Sequence, residues 1–138
     1  KMQSQTVTSV CGVAQAAGVA AHNGDQSFVD AAAAKFKHRA QIVTRGLANI
    51  PELEFVAPAG AFYAFIGVSK LIGRRTPAGD LLNTDSAVAG YLLESFGLSS
   101  VPGEAFASPG FIRLSIAASD EELIGACDRL AKMVASLV

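Results

Sequence analysis

Histidine and cysteine are scarce: two of each in 138 residues. A structural zinc site draws four ligands mainly from these residue types. His22 and His38 stand in predicted helices, sixteen residues apart, and read as helix-surface or helix-end residues, so no metal site is expected. Cys11 and Cys127 lie in apolar helical contexts and read as small buried hydrophobes rather than as a disulfide or a reactive thiol. That usage fits a reducing, cytoplasmic compartment. Uninterrupted apolar runs of about 18 residues are missing, which argues against a transmembrane helix. The opening "KMQSQTVTSV" carries no apolar core of a signal peptide. Charge of one sign is missing too. The net charge is −1 with lysine and arginine scattered, so neither nucleic acid nor an anionic membrane is an expected partner. GxxxxGK[ST], GxGxxG after a strand, GxSxG and HExxH are all absent. Schiff-base chemistry needs a lysine that is desolvated or flanked by cations. Lys35 and Lys37 fall on a charged helix face, Lys1 is terminal and Lys132 is in the last helix; with Lys70, none reads as a nucleophile. Gly73-Arg74-Arg75 is a mildly basic spot that reads as an exposed loop.

What is present is apolar. Hydrophobic residues make up 51% of the chain and charged residues 17%, more than one small core absorbs, so part of the surface is expected to be covered by something else. The chain does not open with Met, and it reads as a piece of a longer protein. Thr8 or Ser9 is a candidate cap for a first helix, "VCGVAQAAGVAAH", apolar nearly all round and therefore expected to be buried on several sides, with Asn23-Gly24, residues that tolerate left-handed geometry, ending it. A second helix follows over 26–50, with Phe28, Ala32, Phe36, Val43, Leu47 and Ile50 on one stripe and Pro51 as the stop. Strands are expected at Leu53–Val56, Ala61–Val68, Leu98–Val101 and Phe111–Ala117, with Pro102-Gly103 breaking the third. A helix starts at Thr84-Asp85 and stops at Gly97, and a last helix follows the capping-box pair Ser119 and Glu122. Short strands with packed helices predict an α+β fold: a small, mainly antiparallel sheet with helices on one face, residues 1–138 forming a single domain.

One residue breaks the pattern. "SPGFIRLSIA", Ser108 to Ala117, is the most strand-like run in the chain, and Arg113 sits in its middle. A guanidinium keeps its charge at any physiological pH. Either Arg113 is solvated or paired with a local carboxylate at a sheet edge, or it is a carboxylate clamp, with parallel N–H donors held rigid by a strand.

Several spaced phrases decide between these by likeness. "PAGAFYAF" (Pro58–Phe65) and "VPGEAFASPGFIRLSIAASDEEL" (Val101–Leu123) resemble the C-terminal part of class I aminotransferases, fold type I of the pyridoxal-phosphate enzymes, in particular the bacterial aspartate aminotransferase branch. "LIGRRTP" (Leu71–Pro77), "NTD" (Asn83–Asp85) and "KMQSQ" (Lys1–Gln5) agree with it in order, so the resemblance spans the chain. It implies that this is the small C-terminal domain, with 1–24 as the connection from a large cofactor-binding domain. It implies that Arg113 grips the α-carboxylate of an amino acid or 2-oxo acid, with Gly103, Phe106 and Gly110 at turn positions leading to it. Ala107 stands where the family usually has glycine, and Gln5 and Thr6 fall in a stretch that relatives run near a homodimer interface. The family's Schiff-base lysine, its pyridine-nitrogen aspartate and its phosphate-binding residues belong upstream of Lys1. The resemblance therefore places no catalytic or cofactor-binding residue in this chain, which is expected to be inactive alone although the intact enzyme transaminates with pyridoxal 5'-phosphate. Two rivals differ in class: a regulator built on the same fold, announced by a fused DNA-binding segment, and a stand-alone α+β module binding a carboxylate or a protein.

Overall fold

Alternation of apolar and half-polar residues sets the sheet. In β2 (Tyr63–Gly67) and β4 (Phe111–Ser115), Ala64, Ile66, Ile112 and Leu114 are buried, while Tyr63, Phe65, Phe111 and Arg113 are half-buried on the other face. Successive strand side chains point to opposite faces, so one face of this pair is core and the other is not. The computed structural model describes residues 1–7 and 9–138. β1 (Glu54–Phe55) and β3 (Val101–Pro102) complete an antiparallel sheet in the order β1-β2-β4-β3.

The helices are α1 (Met2–Thr6), α2 (Gly12–Asn23), α3 (Ser27–Leu47), α4 (Asp85–Phe96) and α5 (Asp120–Ser136). Val43 and Leu47 of α3, Val88 and Leu92 of α4, and Leu123, Leu130 and Met133 of α5 form one cluster with the buried sheet residues. The fold is therefore α+β, an open antiparallel sheet with the C-terminal part of α3, α4 and α5 packed on one side. The chain forms two compact units, Lys1–Ala34 and Lys35–Val138, and the sheet lies wholly in the second.

Local chemistry explains the helix ends. Thr84 caps α4, its hydroxyl accepting from the Ala87 N–H at 3.1 Å, and Gly97 closes that helix at φ +62°, where a Cβ is strained. Ser119 and Glu122 make a complete capping box on α5: the Ser119 N–H donates to Glu122 Oε2 at 2.8 Å, and the Glu122 N–H donates to Ser119 Oγ at 3.2 Å. Those bonds from Ser119, backbone first, hold the Glu122 carboxyl below its usual pKa.

Several expectations are corrected. Helix α2 has no buried residue, and Val13 and Val19 are exposed, although its composition is that of a buried helix. Its N-cap is Cys11, not Ser9, while Thr8 lies outside the described residues. The helix does end at Asn23-Gly24, with Gly24 extended (φ −78°). Phe28 is 68% exposed although Val43, Leu47 and Ile50 of the same stripe are buried. Cys11 is exposed and only Cys127 is buried; both are free. The Val13 and Ala14 N–H groups lower the Cys11 pKa, whereas burial first, and the Asp128 charge second, raise that of Cys127. β3 is Val101–Pro102 rather than Leu98–Val101; Pro102 is tolerated because β3 pairs on one side only, an edge strand.

Candidate functional site

The open face of the sheet carries the chemistry. In antiparallel register, Arg113 lies opposite Phe65 on one side and Val101 on the other, so these three side chains share a face. Tyr63 reaches Arg113 diagonally, its own partner being Ser115. The Arg113 Cζ is 4.2 Å from the centroid of the Tyr63 ring and 4.3 Å from that of Phe106. Phe65 stacks on Phe111 (4.8 Å, 7° between planes) and meets Phe106 edge-on at 6.4 Å. The result is an aromatic floor around one cation. Among the described residues, no carboxylate pairs with Arg113 and no hydrogen bond occupies its N–H groups. The three ion pairs found all lie elsewhere: His38 and Arg39 with Asp120, and Lys70 with Glu54. Pairing with a local carboxylate is thus not seen among the described residues, which leaves the solvated reading of Arg113 beside the clamp.

Phe106 reaches its place through a tight turn. Residues Gly103–Phe106 form a single 3-10 turn that ends at Ala107 in the left-handed region, φ +54°. The Ala107 and Ser108 N–H groups donate back to Glu104 and Gly103 carbonyls at 3.0 Å, so the reversal is hydrogen-bonded throughout. Alanine thus adopts the geometry that glycine takes at no steric cost. Ala107→Gly is expected to stabilise the protein by about 1 kcal/mol, read as a raised denaturant midpoint. A lowered midpoint would show that the loss of backbone freedom in the unfolded chain outweighs the relief.

Asp85 anchors the same turn from the other side. It is 3% exposed, its Oδ2 accepts from the Glu104 N–H at 2.9 Å and its Oδ1 accepts from the Ser86 N–H at 2.9 Å. The start of α4 and the turn bearing Phe106 are thereby fastened together. Gly110 takes φ +85°, and its carbonyl accepts from the Val68 N–H at 2.8 Å, tying the entry of β4 to the end of β2.

The remaining candidates are dispersed. Lys1, Lys35, Lys37, Lys70 and Lys132 are all exposed, and Lys70 also donates to the Pro51 carbonyl at 3.2 Å. His22 is exposed at the end of α2, and His38 is exposed on α3. No group of three or more metal-ligating side chains occurs among the described residues. The Arg74 guanidinium donates to the Leu137 carbonyl at 2.6 Å, and Arg75 donates to the Gly79 carbonyl at 2.7 Å. Both therefore brace their loop. Gln5 and Thr6 lie in α1, in the first unit. A cavity of about 120 Å³ lies behind the sheet, lined by Val43, Ala64, Leu114, Cys127 and Leu130. It is on the helix side, so Arg113 occupies an open face rather than that cavity.

Sequence reasoning singled out Arg113 and the turn positions but missed Tyr63 and Asp85 as partners. Tyr63 had a signal: it falls on the same alternation as Phe65, and Phe65 opposes Arg113. Asp85 had none, since its partner Glu104 is nineteen residues away.

Comparison with known proteins places this geometry. The family described as aminotransferase class I and II matches residues 1–130. An aspartate aminotransferase of Rhizobium meliloti (strain 1021) is 40% identical over 130 residues, covering 94% of this chain and 32% of the relative. An aspartate/prephenate aminotransferase of Nitrosomonas europaea is 37% identical over 134 residues, covering 96% and 34%. A crystal structure of the Rhizobium meliloti aspartate aminotransferase superposes with a TM-score of 0.88 at 38% identity, covering 99% of this chain and 34% of that one. An aspartate aminotransferase variant from Thermus thermophilus gives 0.79 at 31% identity, covering 96% and 34%. The chain thus spans about a third of the length of the curated relatives it matches.

Proposed function

Since the chain belongs to the aminotransferase class I and II family, we propose that it is the substrate-gripping C-terminal domain of an aspartate-aminotransferase-like enzyme that moves an amino group between an amino acid and a 2-oxo acid. The observation that carries this reading is Arg113: a half-buried guanidinium on an open aromatic face, with no anion of its own among the described residues. Its planar N–H fork matches a carboxylate in two parallel hydrogen bonds. A strand paired on both sides fixes the backbone from which that fork projects, so the acid it binds is approached from one side of the sheet.

The family implies pyridoxal 5'-phosphate, which supplies the electron sink for amino-group chemistry. Because the lysines here are exposed, the cofactor's lysine is assigned to the part of the protein beyond this chain. That part, a large domain, also covers the apolar surface of α2 and closes over the Arg113 face to exclude water. In the same reading residues 1–138 are one domain with 1–24 as its connection, and the enzyme is a cytoplasmic homodimer. No helix among the described residues is long and apolar enough to cross a membrane.

The test is the visible absorbance of the whole protein with pyridoxal 5'-phosphate, before and after L-aspartate. A bound-cofactor band that shifts on adding the amino acid is the expected result. A protein that forms no such band, or one whose band no amino acid moves, would overturn the reading.

A further inference from the structure

The arrangement around Arg113 does more than leave it unpaired. Its guanidinium has two faces and an in-plane edge. Tyr63 and Phe106, from different elements, both approach the central carbon at stacking distance, 4.2 and 4.3 Å. Both ring contacts are made at the central carbon, and no hydrogen bond among the described residues occupies the N–H groups, where a carboxylate binds. From these distances we infer that Tyr63 and Phe106 are positioning residues: an aromatic clamp that fixes the plane of Arg113 before the substrate carboxylate arrives. This rests on the reading of Arg113 as the carboxylate site.

Three physical consequences follow. A long side chain on a strand has several rotamers, and restricting them in advance spares that loss at binding. Guanidinium faces are weakly hydrated and stack well on aromatic rings, whereas an ammonium has no plane to hold. Aromatic contact also retains the charge without neutralising it, which a carboxylate partner would not do. The clamp is itself held. Phe106 sits at the end of the turn that Asp85 fastens through the Glu104 N–H and that Ala107 closes in left-handed geometry. Tyr63 is fixed in β2 by its register with Ser115, and its ring packs 4.3 Å from that of Phe62.

The test uses the whole protein, with the amino acid's KM and the inhibition constant of propionate, a carboxylate without an amino group, as readouts. Tyr63→Leu and Phe106→Leu keep apolar bulk and remove the rings. Each is expected to raise both constants by about fivefold, with kcat lowered by a smaller factor than KM is raised. Tyr63→Phe, which restores the ring, is expected to recover what Tyr63→Leu loses. Arg113→Lys is the reference. If it leaves both constants unchanged, the carboxylate reading of Arg113 falls and the clamp with it. If it raises them while the two leucine variants leave them at the parental values, the clamp alone is overturned. A leucine variant that lowers kcat and the unfolding midpoint without moving either constant would show a merely structural role and overturn it equally.

Discussion

Arg113→Lys in the whole protein is expected to lower kcat/KM for amino-acid turnover on the order of a hundredfold while cofactor binding stays intact. Lysine keeps the positive charge, so what is lost is geometry. A planar fork that gives a carboxylate two parallel hydrogen bonds becomes a point charge with rotating donors. Hydrogen bonds to a charged group contribute about 1.5–3 kcal/mol each. Losing one, together with stacking on Tyr63 and Phe106, amounts to about 3 kcal/mol, and each 1.36 kcal/mol is about a factor of ten in rate. The effect should fall on both KM and kcat, because a carboxylate held loosely also misplaces the reacting carbon. Steady-state kinetics with the cofactor's absorbance as a control decide it. Turnover within a few-fold of the parent would remove Arg113 from the site.

Gly103→Ala should have the largest effect on stability. Gly103 is buried at the head of the turn that carries Phe106. A Cβ there would collide with the Ser108 carbonyl oxygen and lie 2.9 Å from both the Cβ and the carbonyl oxygen of Phe111. Backbone atoms cannot swing away as the end of a flexible side chain can. Either the turn opens, breaking the Ser108 N–H bond to the Gly103 carbonyl, or β4 shifts at its first residue. Overpacking of this kind costs about 3 kcal/mol. Denaturant unfolding should show a lower midpoint, and the surviving folded protein should bind carboxylates less well because Phe106 has moved. A midpoint equal to the parent's would mean that the turn accommodates a methyl group, and the close packing assigned to Gly103 would be wrong.

Much of this was legible from sequence because it is local. Thr84, Gly97 and the Ser119–Glu122 pair act within one helical turn, and each was found where spacing put it. The apolar, β-branched and aromatic run of Phe111, Ile112, Leu114 and Ile116 marked a strand, and Arg113 in its middle stood out as the anomaly. Errors fell where the outcome depends on what lies outside the segment. Helix α2 has the composition of a buried helix, yet none of its residues is buried. β3 moved to include Pro102 because it is an edge strand, a fact of sheet order rather than of residue preference.

The sequence by itself determined the main helices and strands, the caps of α4 and α5, the class of fold and the residue with an unexplained charge, since periodicity and capping act over a few residues. Tertiary structure alone decided what surrounds that charge. Tyr63 and Phe106 are 43 residues apart in the chain and meet on Arg113 because β2 and β4 pair in one register while the turn before β4 folds back over it. Asp85 fastens that turn from nineteen residues away. Such contacts are set by strand pairing and by the close approach at Gly103, and no spacing in a linear sequence encodes them.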